Sequence, residues 1–129
     1  MATPYSIFRT QPADSFAPPT AGVTVSGTNT YYSKTWGAAD SDGHGLQVVW
    51  SGTPTGTLSM WCSDKPYPSE TDDTDWVQDT SWVPTNPAGS AGKFRDDAGN
   101  MKAYRKRLKY VNASGTGLLE AFVTVPRSY

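Results

Sequence analysis

Ten prolines and twelve glycines are spread along this chain, and no stretch between them keeps the 3.6-residue apolar period that a long helix requires. What remains is short extended pieces joined by turns, the signature of an all-β fold. The aromatic residues supply the apolar surface that such a fold must bury: five Trp, seven Tyr and four Phe in 129 residues, although only 36% of residues are hydrophobic. The length suits one domain. Eleven Lys and Arg against twelve Asp and Glu leave a formal net charge of -1, so no global basic field draws the chain to nucleic acid or to an anionic membrane. Cys62 is the only cysteine and His44 the only histidine. Neither an internal disulfide nor zinc chemistry is therefore expected, and no cofactor is expected either. The opening residues Met1-Ala2-Thr3-Pro4-Tyr5 lack the basic and apolar segments of a signal peptide, which leads to the expectation of a chain made in the cytoplasm.

Two regions differ in pattern. Residues 1–22 hold Pro4, Pro12, Pro18 and Pro19 and show neither the two-residue nor the helical period, which predicts an extended arm. Tyr5, Ile7, Phe8 and Phe16 give that arm more apolar surface than a solvated linker needs, so it is expected to lie along its own domain or along a neighbouring subunit. Residues 23–129 are expected to form one β-sandwich. Strands are predicted at Thr30–Trp36, Leu46–Ser51, Thr57–Cys62, Trp76–Val83, Ala103–Asn112 and Leu118–Val125, with turn-forming clusters between them. Alternation places Leu46, Val48 and Trp50 on one face and Leu58, Met60 and Cys62 on another, read as the inner faces of a hairpin, with Trp61 turned outward or into a second layer. In the fifth strand Tyr104, Leu108 and Tyr110 share one face, and Arg105, Arg107 and Lys109 the other.

Candidates for chemistry are few. His44 sits in Asp42-Gly43-His44-Gly45, a turn sequence, and no base stands beside a Ser or Cys nucleophile in the pattern, so no catalytic residue is predicted. Asp64, Glu70, Asp72, Asp73, Asp75 and Asp79 make the segment from Asp64 to Asp79 acidic, but its spacing fits no EF-hand, and a solvated loop is expected rather than a metal site. Lys102, Arg105, Lys106, Arg107 and Lys109 concentrate the opposite charge; as a strand they form a stripe that either discourages edge pairing or docks an acidic loop of a partner. Trp36, Trp50, Trp61, Trp76 and Trp82 fall largely within strands and are expected to fill a core or an interface. Asn112-Ala113-Ser114 fits a glycosylation sequon.

The run Trp50-Ser51-Gly52-Thr53, Gly56-Thr57-Leu58-Ser59, Ser63-Asp64, Asp75-Trp76, Arg107-Leu108-Lys109-Tyr110 and Ser114-Gly115-Thr116-Gly117-Leu118-Leu119-Glu120-Ala121 resembles a layout found in small β-sandwich virion proteins of tailed bacteriophages. It covers about two-thirds of the chain, Leu46 to Val125. The resemblance implies a jelly-roll-like sandwich in which an Arg-x-x-Tyr strand pairs with the closing strand across the Ser-Gly-Thr-Gly turn. It implies a capsid decoration or cement protein on the virion surface, or a module of the tail. The expected partners are the major capsid protein and other copies of the chain, as a dimer or trimer. The contacts expected are Tyr5, Ile7, Phe8, Arg9 and Phe16 of the arm and Arg105, Arg107 and Lys109 of the stripe. The alternative is a tail-fibre or baseplate module that binds a cell-surface glycan through exposed aromatics such as Trp61, Tyr67 or Trp82.

Overall fold

The computed structural model describes residues 5–6, 9–10, 20–37, 45–97 and 103–124, of which 5–6, 9–10, 20–21, 97 and 124 are described by their strand pairing alone. Twelve strands follow in order: β1 (Tyr5–Ser6), β2 (Arg9–Thr10), β3 (Thr20–Ala21), β4 (Val23–Val25), β5 (Thr30–Tyr32), β6 (Trp36–Gly37), β7 (Gly45–Trp50), β8 (Thr55–Ser63), β9 (Val77–Gln78), β10 (Gly92–Asp97), β11 (Arg105–Ser114) and β12 (Gly117–Thr124). Two five-stranded antiparallel sheets hold all but β2 and β3, which pair with each other. In the first sheet β12, β7 and β10 lie side by side, and the other side of β12 is shared by β4 and β1. In the second sheet β11, β8 and β9 lie side by side, and the far side of β11 is shared by β5 and β6.

From β4 onward the chain changes sheet at every connection except β5 to β6 and β8 to β9. That winding is the double Greek key of a jelly roll, and the protein is an all-β sandwich of that type.

The two-residue period decides what fills the space between the sheets. Leu46, Val48 and Trp50 of β7 and Leu119, Ala121 and Val123 of β12 face Leu58 and Met60 of β8 and Leu108 and Tyr110 of β11, all of them buried. Trp36 of β6 and Trp82 of the β9–β10 connection complete the core, and Phe94 of β10 packs edge-on against Trp50, with ring centroids 6.2 Å apart. The indole N–H of Trp50 donates to the Ser90 carbonyl at 2.9 Å, so the ring is buried without stranding its donor.

Two features depart from the reading of the sequence. β7 and β8 do not form a hairpin: Ser51–Pro54 carries the chain from one sheet to the other, and their apolar faces meet across the core instead of lying side by side. The Arg-x-x-Tyr strand likewise does not pair with the closing strand, because the Ser-Gly-Thr-Gly segment takes β11 over to β12 in the opposite sheet. These two crossings run together and bond to each other. Ser51 N–H donates to the Leu118 carbonyl at 3.0 Å and Thr53 N–H to the Thr116 carbonyl at 2.8 Å. Gly52 and Gly115 make the approach possible, at φ of 79° and 77°, since a Cβ on either would run into the carbonyl of the opposing crossing.

Smaller differences have local causes. The expected strand Thr30–Trp36 is split by Ser33, whose N–H and Oγ both bond the Leu108 backbone, at 2.9 and 2.8 Å. The expected strand Trp76–Val83 shrinks to Val77–Gln78, because Trp76 and Trp82 act as buried anchors of irregular chain. β10 was not foreseen: Gly-Lys-Phe-Arg-Asp-Asp carries one apolar residue and no visible alternation. In the arm, Tyr5 pairs with Val123 and Ser6 with Phe122, so this stretch lies on its own domain. Ile7, Phe8 and Phe16 lie outside the described residues, as do residues 38–44, with His44 and the Asp40–Gly43 turn, and Lys102.

Candidate functional site

On β11 the outward residues are Arg105, Arg107 and Lys109, as their spacing requires, whereas Lys106 faces inward and is buried. Register fixes their neighbours. Arg107 lies opposite Trp61 of β8, and Lys109 lies between Ser59 of β8 and Tyr32 of β5. Lys109 sits over the Trp61 ring, 5.1 Å from its centroid, and the Trp61 N–H donates to Ser59 Oγ at 2.7 Å.

The connection from β8 to β9 folds back over this surface. Asp64, Glu70 and Asp72 of this loop are exposed, as the sequence suggests, whereas Asp73 and Asp75 are partly covered; each acid also has a partner within the chain. Asp73 is the centre, accepting from Arg107 Nη2 on one oxygen and Lys109 Nζ on the other, both at 2.5 Å. Asp75 accepts from Lys65 Nζ at 2.6 Å and from the Ser69 N–H at 3.1 Å. Asp72 accepts from the Thr74 N–H and hydroxyl, Asp64 from the Tyr104 N–H, and Glu70 faces Lys34 at 3.6 Å. Hydrogen bonds, first from Thr74 and first from Lys65 respectively, hold the Asp72 and Asp75 carboxyls below their ordinary range.

Arg107 is enclosed by this loop and is fully buried. Its guanidinium lies 4.4 Å from the ring centroids of both Tyr32 and Trp76, Nη1 donates to the Ser69 carbonyl at 3.1 Å, and the Trp76 N–H donates to the same carbonyl at 2.6 Å. Burial pushes the guanidinium below its ordinary value while Asp73 opposes, and an arginine stays charged throughout the accessible pH range. Two aromatic faces, a carboxylate and a carbonyl compensate its lost hydration, although Nε has no acceptor among the described residues.

These contacts correct the expected docking stripe. Arg107 presents no surface to another molecule, and Lys109 shares the carboxylate that neutralises it. Arg105, half-buried and 5.3 Å from the Tyr104 ring, is the outward β11 cation that makes no contact with Asp73. Tyr32, Ser69, Asp73 and Trp76 were missed as members of one cluster. The available signal was the match between an acidic connection and a basic strand, read as a contact between copies when it is a contact within one.

A second polar cluster sits at one end of the core. Cys62 and Lys106 face each other across β8 and β11, and the carboxylate of Asp79 is buried nearby. Asp79 Oδ1 accepts from the Ser81 N–H and hydroxyl at 3.2 and 2.6 Å, and Oδ2 has no hydrogen-bond partner among the described residues. Burial pushes the Cys62 thiol up to about 11, with Lys106 pulling the other way, so it is a poor nucleophile at neutral pH. A cavity of about 540 Å³ opens beside it between Ser63–Pro66, Val77 and Ala103.

Other candidates resolve simply. Among the described residues no group of three or more His, Cys, Asp or Glu side chains is arranged to hold a metal ion. Trp82 is 8% exposed and belongs to the core, which removes it from the exposed aromatics, whereas Tyr67 is 92% exposed on the β8–β9 connection. Asn112 is buried, accepting from the Tyr110 hydroxyl and donating to the carbonyls of Gly27 and Gly115, so the sequon nitrogen ties turns together. Tyr5 and Arg9 are placed by backbone pairing alone. No family model matches this chain, and no curated protein sequence matches it.

Proposed function

We propose that this chain is a structural protein of a tailed-bacteriophage virion, a capsid decoration or cement protein that binds the major capsid protein and stabilises the expanded head. The observation that carries this reading is how the N-terminal segment is used: an extended strand, β1, adds by backbone pairing to the edge of a jelly roll. Jelly rolls recur in viral capsid proteins and in lectins, so the winding is compatible with this role by analogy and does not select it. The side chains favour a rigid body over a reactive site, since Asp73 is engaged by Arg107 and Lys109 and Asp75 by Lys65 within the chain. They also weigh against a glycan platform, because Trp36, Trp50, Trp76 and Trp82 are buried and Trp61 is half-covered.

Contacts made only with the expanded shell stabilise that shell by mass action. The test is cosedimentation with expanded, undecorated capsids. Saturable binding at a fixed ratio to the major capsid protein is the expected result. Absence of binding, together with a shift of tryptophan or tyrosine fluorescence on adding cell-surface glycans, would overturn it in favour of a receptor-binding tail module acting through Tyr67.

A further inference from the structure

Among the described residues, the edges of the sandwich are finished in different ways. Along β8 the segment after β9 caps the edge: Gly56 N–H donates to the Pro87 carbonyl at 3.1 Å, Leu58 N–H to Asn86 Oδ1 at 2.9 Å, and Asp79 N–H to the Met60 carbonyl at 2.9 Å. β10 ends its sheet with exposed Lys93, Arg95 and Asp96, charges that resist pairing with another strand. β5 and β6 form an edge broken at Ser33. The outer half of β12 is different, because two residues of the arm, Tyr5 and Ser6, cover it opposite Val123 and Phe122.

The geometry of that cover is unusual. β1 and β4 run in the same direction along β12, and only two positions, Ala121 and Glu120, separate the partner of Ser6 from the partner of Val23. A gap of about 10 Å needs two residues to bridge it. The chain spends residues 7–22 on it, sixteen residues, with the β2–β3 pair inside the excursion. With the β2–β3 pair released and the connector fully extended, it reaches roughly 50 Å, more than enough to carry β1 to another molecule.

We propose that the Phe122–Val123 edge of β12 is a strand-exchange site whose second occupant is β1 of another copy of this chain. The exchanged and closed forms make the same β1–β12 backbone pairs, so the balance between them is set by the connector and by the density of copies. A tether of this length holds its own strand at an effective concentration of order mM. Closed molecules therefore dominate in dilute solution, and exchange competes on equal terms where copies are held side by side at similar density. This extends the proposed virion role, in which such density is provided, but it does not depend on a capsid being present. Among the described residues, opening releases the two-residue pairing of β1 on β12, and extending the connector also releases the two-residue β2–β3 pair.

The test uses two full-length variants, Ser6→Cys and Phe122→Cys, mixed at high concentration under mild oxidation. Paired positions across antiparallel strands lie within disulfide range, and the buried native Cys62 does not compete. A disulfide between the two different chains requires β1 of one to lie on β12 of the other. The expected result is a linked dimer whose yield rises with total concentration and exceeds, by about tenfold, that from Ser6→Cys mixed with Lys93→Cys on the opposite edge. Equal yields from the two mixtures would overturn the proposal. So would a mixture that stays monomeric while the double variant Ser6→Cys/Phe122→Cys closes its disulfide within one chain. Failure of the double variant to close would overturn it as well, since β1 would then not occupy this edge. Capsid cosedimentation is read separately, so failure of exchange and failure of the virion role are distinguishable.

Discussion

Arg107 shows how far single residues can be read in advance. Its outward direction follows from the alternation of β11, and so does its separation from Leu108 and Tyr110. That it is buried nonetheless depends on Asp73, thirty-four positions away, and on a loop whose path no local pattern specifies. Replacing Asp73 by Asn leaves a buried guanidinium without its counter-charge, and the expected loss is about 2–3 kcal/mol of unfolding free energy by urea titration. Arg107→Lys should cost a similar amount although charge is kept, because an ammonium cannot fill the planar slot between Tyr32 and Trp76. Losses below about 0.5 kcal/mol in both would show that the cage is decorative. The pH response follows from Asp72 and Asp75. Their folded-state values lie below the ordinary 3.8, so their contribution is complete above that value and is lost as pH falls through the depressed values. Melting temperature should therefore hold steady from neutral pH to about 5 and fall below about 4; a flat profile down to pH 3 would contradict these bonds. Cys62 supplies an independent check. With its thiol raised to about 11 and buried, it should resist a thiol reagent at pH 8 until the protein unfolds, and rapid labelling of native protein would exclude the packing described.

At the scale of elements, strands that bury one face were legible and strands that do not were not. Leu46, Val48 and Trp50 announce β7, and Leu119, Ala121 and Val123 announce β12, because each sequence must present an apolar row to the core. β10 escaped notice because an edge strand needs few apolar residues and is protected by charge, which is how Lys93, Arg95 and Asp96 read. Alternation assigns a residue to a face but says nothing about which sheet the strand joins. Hence the close spacing of β7 and β8, with Gly52 and Pro54 between, looked like a hairpin and is a crossing between layers. The paired crossings at Ser51–Pro54 and Gly115–Thr116 should be correspondingly intolerant. Gly115→Ala forces a Cβ at φ of 77° into the Thr53 carbonyl and should cost about 2 kcal/mol or more. Gly37→Ala, where nothing lies within 4 Å of the added atom, should stay within about 0.5 kcal/mol. Equal effects at the two sites would mean that the crossings do not pack as described.

For the whole molecule, the internal pairing of charge changes what should govern association. A basic stripe meeting another copy's acidic loop would produce binding that weakens steeply as salt screens exposed charges. Here Asp73 already pairs with both Arg107 and Lys109 within the chain, and Asp75 is engaged by Lys65. Attachment to a capsid should then rest on backbone pairing and apolar contact through the arm, both of which survive salt. Binding to expanded capsids is accordingly expected to change less than about threefold between 50 mM and 500 mM salt, an interval over which a multi-charge interface weakens by orders of magnitude. Removing residues 1–19 should abolish that binding. The core residues among those described lie at and beyond Val25, so the truncated chain should still unfold cooperatively, at a lower temperature because β12 loses the cover of β1. Retained capsid binding by a folded truncation would remove the arm from the mechanism. Binding that collapses at high salt would instead place the contact on the charges still exposed, with Arg105 and the β10 edge at Lys93 and Arg95 the first to replace.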